Sequence, residues 1–213
     1  MPISRRRLLT AATASAAAPF ALAALGPLTV PATARAAAVD PRETERAVGS
    51  PTAKVTVIEF FSLTCPHCAA FAAETFPKVR TDLIATGKVR YVFGDYPLDQ
   101  LALNAAMLAR ALPAERYEPF ILSLFASQYN WAFNREANVT EELFKRAALA
   151  GMDRATFDAT LADKAFRNWM IQQQAENEAK YQIDSTPTFI VNGHKAAGEM
   201  SYDAFDKLVN ASG

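Results

Sequence analysis

The alternation of apolar and polar positions divides the chain into blocks of different period. Lys54-Val55-Thr56-Val57-Ile58-Glu59-Phe60-Phe61 is a β-branched and aromatic run with the character of a buried strand. Thr64-Cys65-Pro66 follows, and Pro66 suits the first turn of a helix, where no backbone N–H is needed. From Cys68 to about Ala85, Phe71, Thr75, Val79 and Leu83 recur at near-helical spacing, and Pro77 is expected to kink that helix. Val89-Arg90-Tyr91-Val92-Phe93 reads as a second strand.

The period then becomes helical across residues 98–182. Leu101, Ala105, Leu108 and Leu112 mark one apolar face, and Phe120, Leu124 and Phe125 mark another. Thr140-Glu141-Glu142-Leu143 resembles a capped helix start, Gly151-Met152-Asp153 a turn, and Phe166, Trp169 and Met170 the opening of a longer helix. Strands return at Pro187-Thr188-Phe189-Ile190-Val191 and at His194 to Ala197, with a turn at Asn192-Gly193. Ser201 caps a final helix in which Phe205, Leu208 and Val209 share a face. The order is βαβ, a block of helices, then ββα. This predicts an α/β fold whose two halves, residues 54–97 and 183–213, are separated by an inserted helical domain.

The segment before the first strand has another character. Arg5-Arg6-Arg7 precedes a mildly apolar, alanine-rich stretch, and small residues at Ala34, Ala36 and Ala38 complete the three-part pattern of an export signal over residues 1–38. Cleavage is expected near Ala36 or Ala38. Pro19, Gly26 and Pro27 interrupt the stretch, which argues against a permanent membrane span. Ser4-Arg5-Arg6-Arg7-Leu8-Leu9 resembles a twin-arginine motif; an ordinary positively charged start to a Sec signal is the alternative. Residues 39–53, with Pro41, Gly49 and Pro51, read as a leader or linker.

Composition narrows the function classes. The chain has 213 residues, 51% hydrophobic and 21% charged, which suits a packed core and not a disordered chain. Basic and acidic residues both number 22, so there is no cationic excess to neutralise a nucleic-acid backbone. Taking Arg5, Arg6, Arg7 and Arg35 away with the signal leaves 18 basic against 22 acidic residues, a net of −4. Two cysteines and two histidines exclude a disulfide-dense scaffold. They also exclude a closed zinc site built from four cysteines, or from three cysteines and a histidine, within one chain.

Both cysteines fall in one tetrapeptide, Cys65-Pro66-His67-Cys68, at the junction of a strand and a helix. That placement is the mark of a redox dithiol. A helix N-terminus offers unsatisfied N–H groups and the positive end of the helix dipole, which favour a thiolate on the first cysteine. Cys65 is therefore the candidate nucleophile and Cys68, one turn in, the resolving thiol. His67 can support the Cys65 thiolate as a cation or hydrogen-bond donor. A structural disulfide of this span closes too small a loop to stabilise much. A soft-metal site, such as a copper-carrying module, needs a further ligand, and His194 is the one histidine left outside the motif.

On these residues the chain resembles the thioredoxin superfamily, and within it the DsbA-like branch. Cys65-Pro66-His67-Cys68, the preceding Val57-Ile58-Glu59-Phe60-Phe61-Ser62 and the inserted helices all match that branch, over residues 54–210. The resemblance implies a thioredoxin-like fold and a thiol:disulfide oxidoreductase with no cofactor beyond its own dithiol. It implies that Ser185-Thr186-Pro187-Thr188-Phe189 is the cis-proline loop, with Thr186 and Pro187 meeting substrate backbone beside the dithiol. It also implies that Glu59 lies under the resolving cysteine and assists its proton transfers, where the bland reading is a surface ion pair. The expected partners are reduced or misfolded exported proteins and a membrane or soluble redox partner of the DsbB type, in the periplasm. An isomerase or reductase kept reduced by a partner is the alternative direction, and Thr186 fits either. The short stretch before Lys54 leaves no room for an oligomerisation domain and argues for a monomer.

Overall fold

A computed structural model describes residues 39–213. The export-signal and cleavage readings fall on residues 1–38 and lie outside the described residues. Five strands form one sheet: β1 (Arg46–Val48), β2 (Val55–Phe61), β3 (Val89–Asp95), β4 (Thr188–Val191) and β5 (His194–Ala197), in the order β1-β3-β2-β4-β5. β2 pairs parallel with β3 and antiparallel with β4, in register Val57 with Tyr91 and Val191, and Glu59 with Phe93 and Phe189. A parallel pair needs a crossover. Here it is the helical stretch that starts at the dithiol. β2 lies at the centre of the sheet, which explains its nearly unbroken apolar text: Val55, Val57, Phe60 and Phe61 are all buried.

The crossover was expected as one kinked helix; it is three pieces. α1 (Pro66–Glu74) stops at Thr75, α2 (Phe76–Val79) restarts at once, and a π-helical turn follows over Arg80–Ile84. Pro77 supplies no N–H and crowds the preceding turn, so the break falls two residues ahead of it. At the break the Thr75 hydroxyl donates to the Met200 carbonyl oxygen at 2.8 Å. Phe71, Thr75, Val79 and Leu83, expected on one face, are all buried. Phe71 meets Phe189 with ring centroids 4.7 Å apart and Phe205 at 5.8 Å, locking α1 between β4 and the last helix, α8 (Tyr202–Ser212). Each such phenylalanine contributes about 2–3 kcal/mol through burial.

Between β3 and β4 come α3 (Gln100–Ala111), α4 (Ala114–Ala126), a π-helical turn at Tyr129–Phe133, α5 (Val139–Leu149), α6 (Arg154–Ala162) and α7 (Lys164–Tyr181). Side chains that accept from backbone N–H groups start four of these helices: Asp99, Asn138, Asp153 and Asp163. Asn138, and not Thr140, caps α5, because Asn138 has the extended backbone and reaches the Glu141 N–H. Trp131, fully buried, ties the Tyr129–Phe133 turn to α4 through its indole N–H on the Leu124 carbonyl at 2.8 Å.

The 39–53 stretch, expected as leader or linker, is in part folded. β1 adds to the sheet edge beside β3. Its anchor is a buried polar network: Arg46 donates to the Arg110 carbonyl at 3.0 Å, and Arg110 donates to the Arg42 and Thr44 carbonyls, each at 3.0 Å. Asp95 pairs with the Arg110 guanidinium and accepts the Tyr117 hydroxyl at 2.8 Å. Among the described residues no helix is long and apolar enough to cross a membrane.

Candidate active site

β2 ends at Phe61 and the chain turns through Ser62-Leu63-Thr64 to deliver Cys65 to the N-cap of α1. The turn is held from three sides. The Cys65 N–H donates to the Ser62 carbonyl at 3.0 Å, and the Thr64 hydroxyl donates to Asp99 at 2.7 Å. From the helical block, the buried Gln128 amide donates to the Leu63 and Cys65 carbonyls at 2.9 and 3.0 Å. Pro66 occupies the first turn of α1, as its fixed φ and absent N–H favour.

Both cysteines are thiols here, and their surroundings separate them. Cys65 is pulled down to about 5 from an ordinary 9.0. The Cys68 thiol facing it is the largest cause, joined by the Thr186 side chain and the backbone N–H groups of Cys68 and His67. Partial burial opposes the change without cancelling it. Cys68, with no exposed surface, is driven far above the usual thiol range by burial, by the neighbouring Cys65 and by the charge of Glu59. One sulfur is thus poised as thiolate at neutral pH and the other keeps its proton.

Thr186 faces Cys65 with two groups. Its carbonyl oxygen accepts from the Cys65 thiol at 3.4 Å. Its hydroxyl is buried and makes no hydrogen bond in the dithiol form. It is therefore free to turn to the sulfur once that is a thiolate, which agrees with its lowering effect on Cys65. The Thr186–Pro187 peptide bond is cis, as the resemblance implied. Glu59 is buried and accepts the Tyr91 hydroxyl at 2.7 Å. Burial, reinforced by the Cys65 charge, raises its carboxyl from 4.5 to about 7 against the opposing Tyr91 hydrogen bond. It is buried and, among the described residues, has no ion-pair partner, so the surface-pair reading does not hold.

The residues expected from sequence, Cys65, Pro66, His67, Cys68, Glu59, Thr186 and Pro187, therefore meet at one end of the sheet. His194 does not join them. It is exposed and pairs with Val191, at the opposite end of β4 from Pro187, roughly 13 Å along the strand. Three partners escaped the sequence reading: Tyr91 on Glu59, Gln128 on the Cys65 turn, and Glu199, whose Oε2 lies 2.8 Å from His67 Nδ1. Tyr91 lies in a strand that the sequence marks, but its contact with Glu59, two residues beyond its register partner Val57, follows only from the sheet pairing. For Gln128 and Glu199, 63 and 132 positions from their partners, no local signal exists.

A sheet with this topology and a dithiol at the N-terminus of its crossover helix define a thioredoxin-type redox protein. The thioredoxin family model matches residues 41–211, and the chain belongs to that family, in its DsbA-like branch. Among curated relatives, a Rickettsia bellii protein provisionally named a protein-disulfide oxidoreductase is 27% identical over 152 residues, 71% of this chain and 58% of that one. The thiol:disulfide interchange protein DsbA of Bordetella pertussis is 30% identical over 148 residues, 66% of this chain and 64% of that one. The matches thus span less than two thirds of those relatives' length. The crystal structure of alpha-DsbA1 from Wolbachia pipientis superposes with a TM-score of 0.73 at 28% identity, covering 81% of this chain and 96% of that one.

Proposed function

We propose that the protein is an exported thiol:disulfide oxidoreductase that donates a Cys65–Cys68 disulfide to reduced secreted proteins in the periplasm. The observation that supports this most is the asymmetry of the dithiol: Cys65 ionised near pH 5, Cys68 buried and protonated. A disulfide whose reduced form is stabilised as a thiolate is an oxidising one.

A substrate thiolate attacks Cys65, the partly accessible sulfur, and the Cys65–Cys68 bond breaks with its electron pair passing to Cys68. Cys68 has no exposed surface and strongly disfavours charge, so it must take up a proton. Glu59, with a carboxyl that titrates at about 7, is the group placed to supply and recover it. A second substrate thiolate then attacks the substrate sulfur of the mixed disulfide, and Cys65 leaves as the stabilised thiolate. The substrate has lost two electrons and two protons; the enzyme dithiol holds both electrons and, on Cys68, one proton, and the other proton passes to solvent. The backbone of Thr186, which reaches the Cys65 sulfur, is suited to pair with an extended substrate chain during the exchange. An oxidant, a membrane partner of the DsbB type, then restores the disulfide.

The copper-carrier reading needs a third ligand, and His194, the histidine left for it, pairs with Val191 at the far end of β4 from the dithiol. The test of the proposal is Cys65→Ser in an assay of disulfide formation in a reduced, unfolded substrate protein. Complete loss of oxidation is expected; full retention refutes the assignment.

A further inference from the structure

His67 stands on the second residue of α1 and is largely exposed, its side chain 73% accessible. An imidazole in that position is ordinarily free to rotate and to lose its proton near neutrality. This one is neither solitary nor free. Glu199, 132 residues along the chain, places Oε2 at 2.8 Å from Nδ1.

The segment that carries Glu199 is pinned on both sides. The N–H of Gly198 donates to the carbonyl oxygen of Pro187 at 2.8 Å, which ties it to the cis-proline loop. Gly198 has φ of +90°, a conformation open to glycine at little cost, and this turns the chain back toward α1. On the other side, at the break between α1 and α2, the carbonyl of Met200 accepts the Thr75 hydroxyl at 2.8 Å. Ser201 then caps α8. The carboxylate is therefore presented by a short bridge joining the cis-proline loop, the helix break and the final helix. Those anchors supply the ordering entropy that usually makes a surface ion pair weak.

We propose that Glu199 is a positioning residue for the exchange reaction: its carboxylate on Nδ1 holds the His67 imidazole in one orientation on the first turn of α1, two residues from Cys65. Among the described residues the charged groups facing the imidazole are Glu199 and Cys65. Both act in the same sense, the carboxylate hydrogen bond first, then its charge, then the thiolate, and raise His67 above the usual imidazole range. Linkage makes the coupling reciprocal: a thiolate that favours the imidazolium is favoured by it to the same extent. With Nδ1–H committed to Glu199, Nε2–H is the donor left to a sulfur outside or at the dithiol. In the release step, when the S–S electron pair passes to Cys65, the charge of that imidazolium acts on the departing thiolate. Without Glu199 the imidazole would lose its proton over the pH range in which an extracytoplasmic enzyme works.

The inference rests on dithiol–disulfide exchange at Cys65 and not on its direction. Its test is a titration of the reduced protein, so its failure is separable from failure of the oxidase assignment. His67 and His194 are the only two histidines, so the imidazole NMR spectrum contains one reporter and one reference. The ring titration of His67 and the thiolate absorbance of Cys65 are followed in the native sequence, Glu199→Gln, His67→Gln and the double variant, with the glutathione exchange constant at pH 5 and pH 8. In Glu199→Gln, His67 is expected to titrate lower. Its exchange constant is expected to shift about two- to fivefold toward the disulfide at pH 8, the range open to an anchored surface pair. At pH 5, where the ring is charged in both proteins, no such shift is expected. In the His67→Gln background the Glu199 substitution is expected to do nothing at either pH. An unmoved His67 titration, or a Glu199→Gln effect of the same size with His67 replaced, would overturn the proposal.

Discussion

Replacing Glu59 with glutamine should stabilise the reduced protein in alkaline solution and not in acid. Glu59 is buried in the sheet under the dithiol, with one hydrogen bond from Tyr91 and, among the described residues, no cation beside it. Its carboxyl titrates at about 7 in the fold against 4.5 ordinarily. The sign follows from proton counting. Between these two values the folded protein holds a proton that the unfolded chain has released, so stability falls as pH rises through the window. The full cost, present above pH 7 and absent below 4.5, is about 3 kcal/mol. Glutamine keeps a carbonyl for the Tyr91 hydroxyl and carries no charge. The stability of Glu59→Gln relative to the native sequence should therefore climb by about 3 kcal/mol between pH 4 and pH 8, whatever its offset at pH 4. Urea unfolding at a series of pH values, under reducing conditions, measures this difference directly, and the titrations common to both proteins cancel. In the disulfide form, where Cys65 is uncharged, the climb should be smaller. A difference that is flat with pH would refute the assignment of a buried, unpaired carboxyl.

Two further substitutions probe the site. Cys68→Ser should leave the Cys65 thiolate able to attack but unable to be released by its neighbour, so mixed disulfides with substrate accumulate and are seen on non-reducing gels; their absence would count against Cys65 as the attacking sulfur. Gln128→Ala removes the donor to the Leu63 and Cys65 carbonyls, and only the second retains a partner, the Ala69 N–H at 3.2 Å. A loss of about 2 kcal/mol in urea unfolding is expected; a neutral effect would show that the helical block does not brace the Cys65 turn.

What could be read from sequence, and what could not, divides by range. The strands around Val57, Tyr91 and Ile190 were legible because β-branched and aromatic residues buried on both faces leave a dense apolar text. The dithiol was legible because its chemistry needs a strand end and a helix start, both written locally around Cys65. β1 was not. Three residues carry no period, and Arg46 is held inside by a carbonyl 64 positions away. The burial of Glu59 could not be decided from its neighbours, since it depends on β3 and β4 closing over it. Thr140 was a sound cap by residue type, yet Asn138 two positions earlier has the geometry. Gln128 and Glu199 lie in connections, between α4 and the Tyr129–Phe133 turn and between β5 and α8, where no period marks them, so their contacts at the site leave no trace in local sequence.

The central claim is that the fold stabilises the reduced dithiol as a Cys65 thiolate and so makes the disulfide a donor. The reduction potential of the Cys65–Cys68 pair against glutathione at pH 7 tests it most directly. A value at the oxidising end of the superfamily, about −120 mV, is the result this account predicts. A value about −270 mV, typical of thioredoxin, would mean that the thiolate is not stabilised and would contradict it.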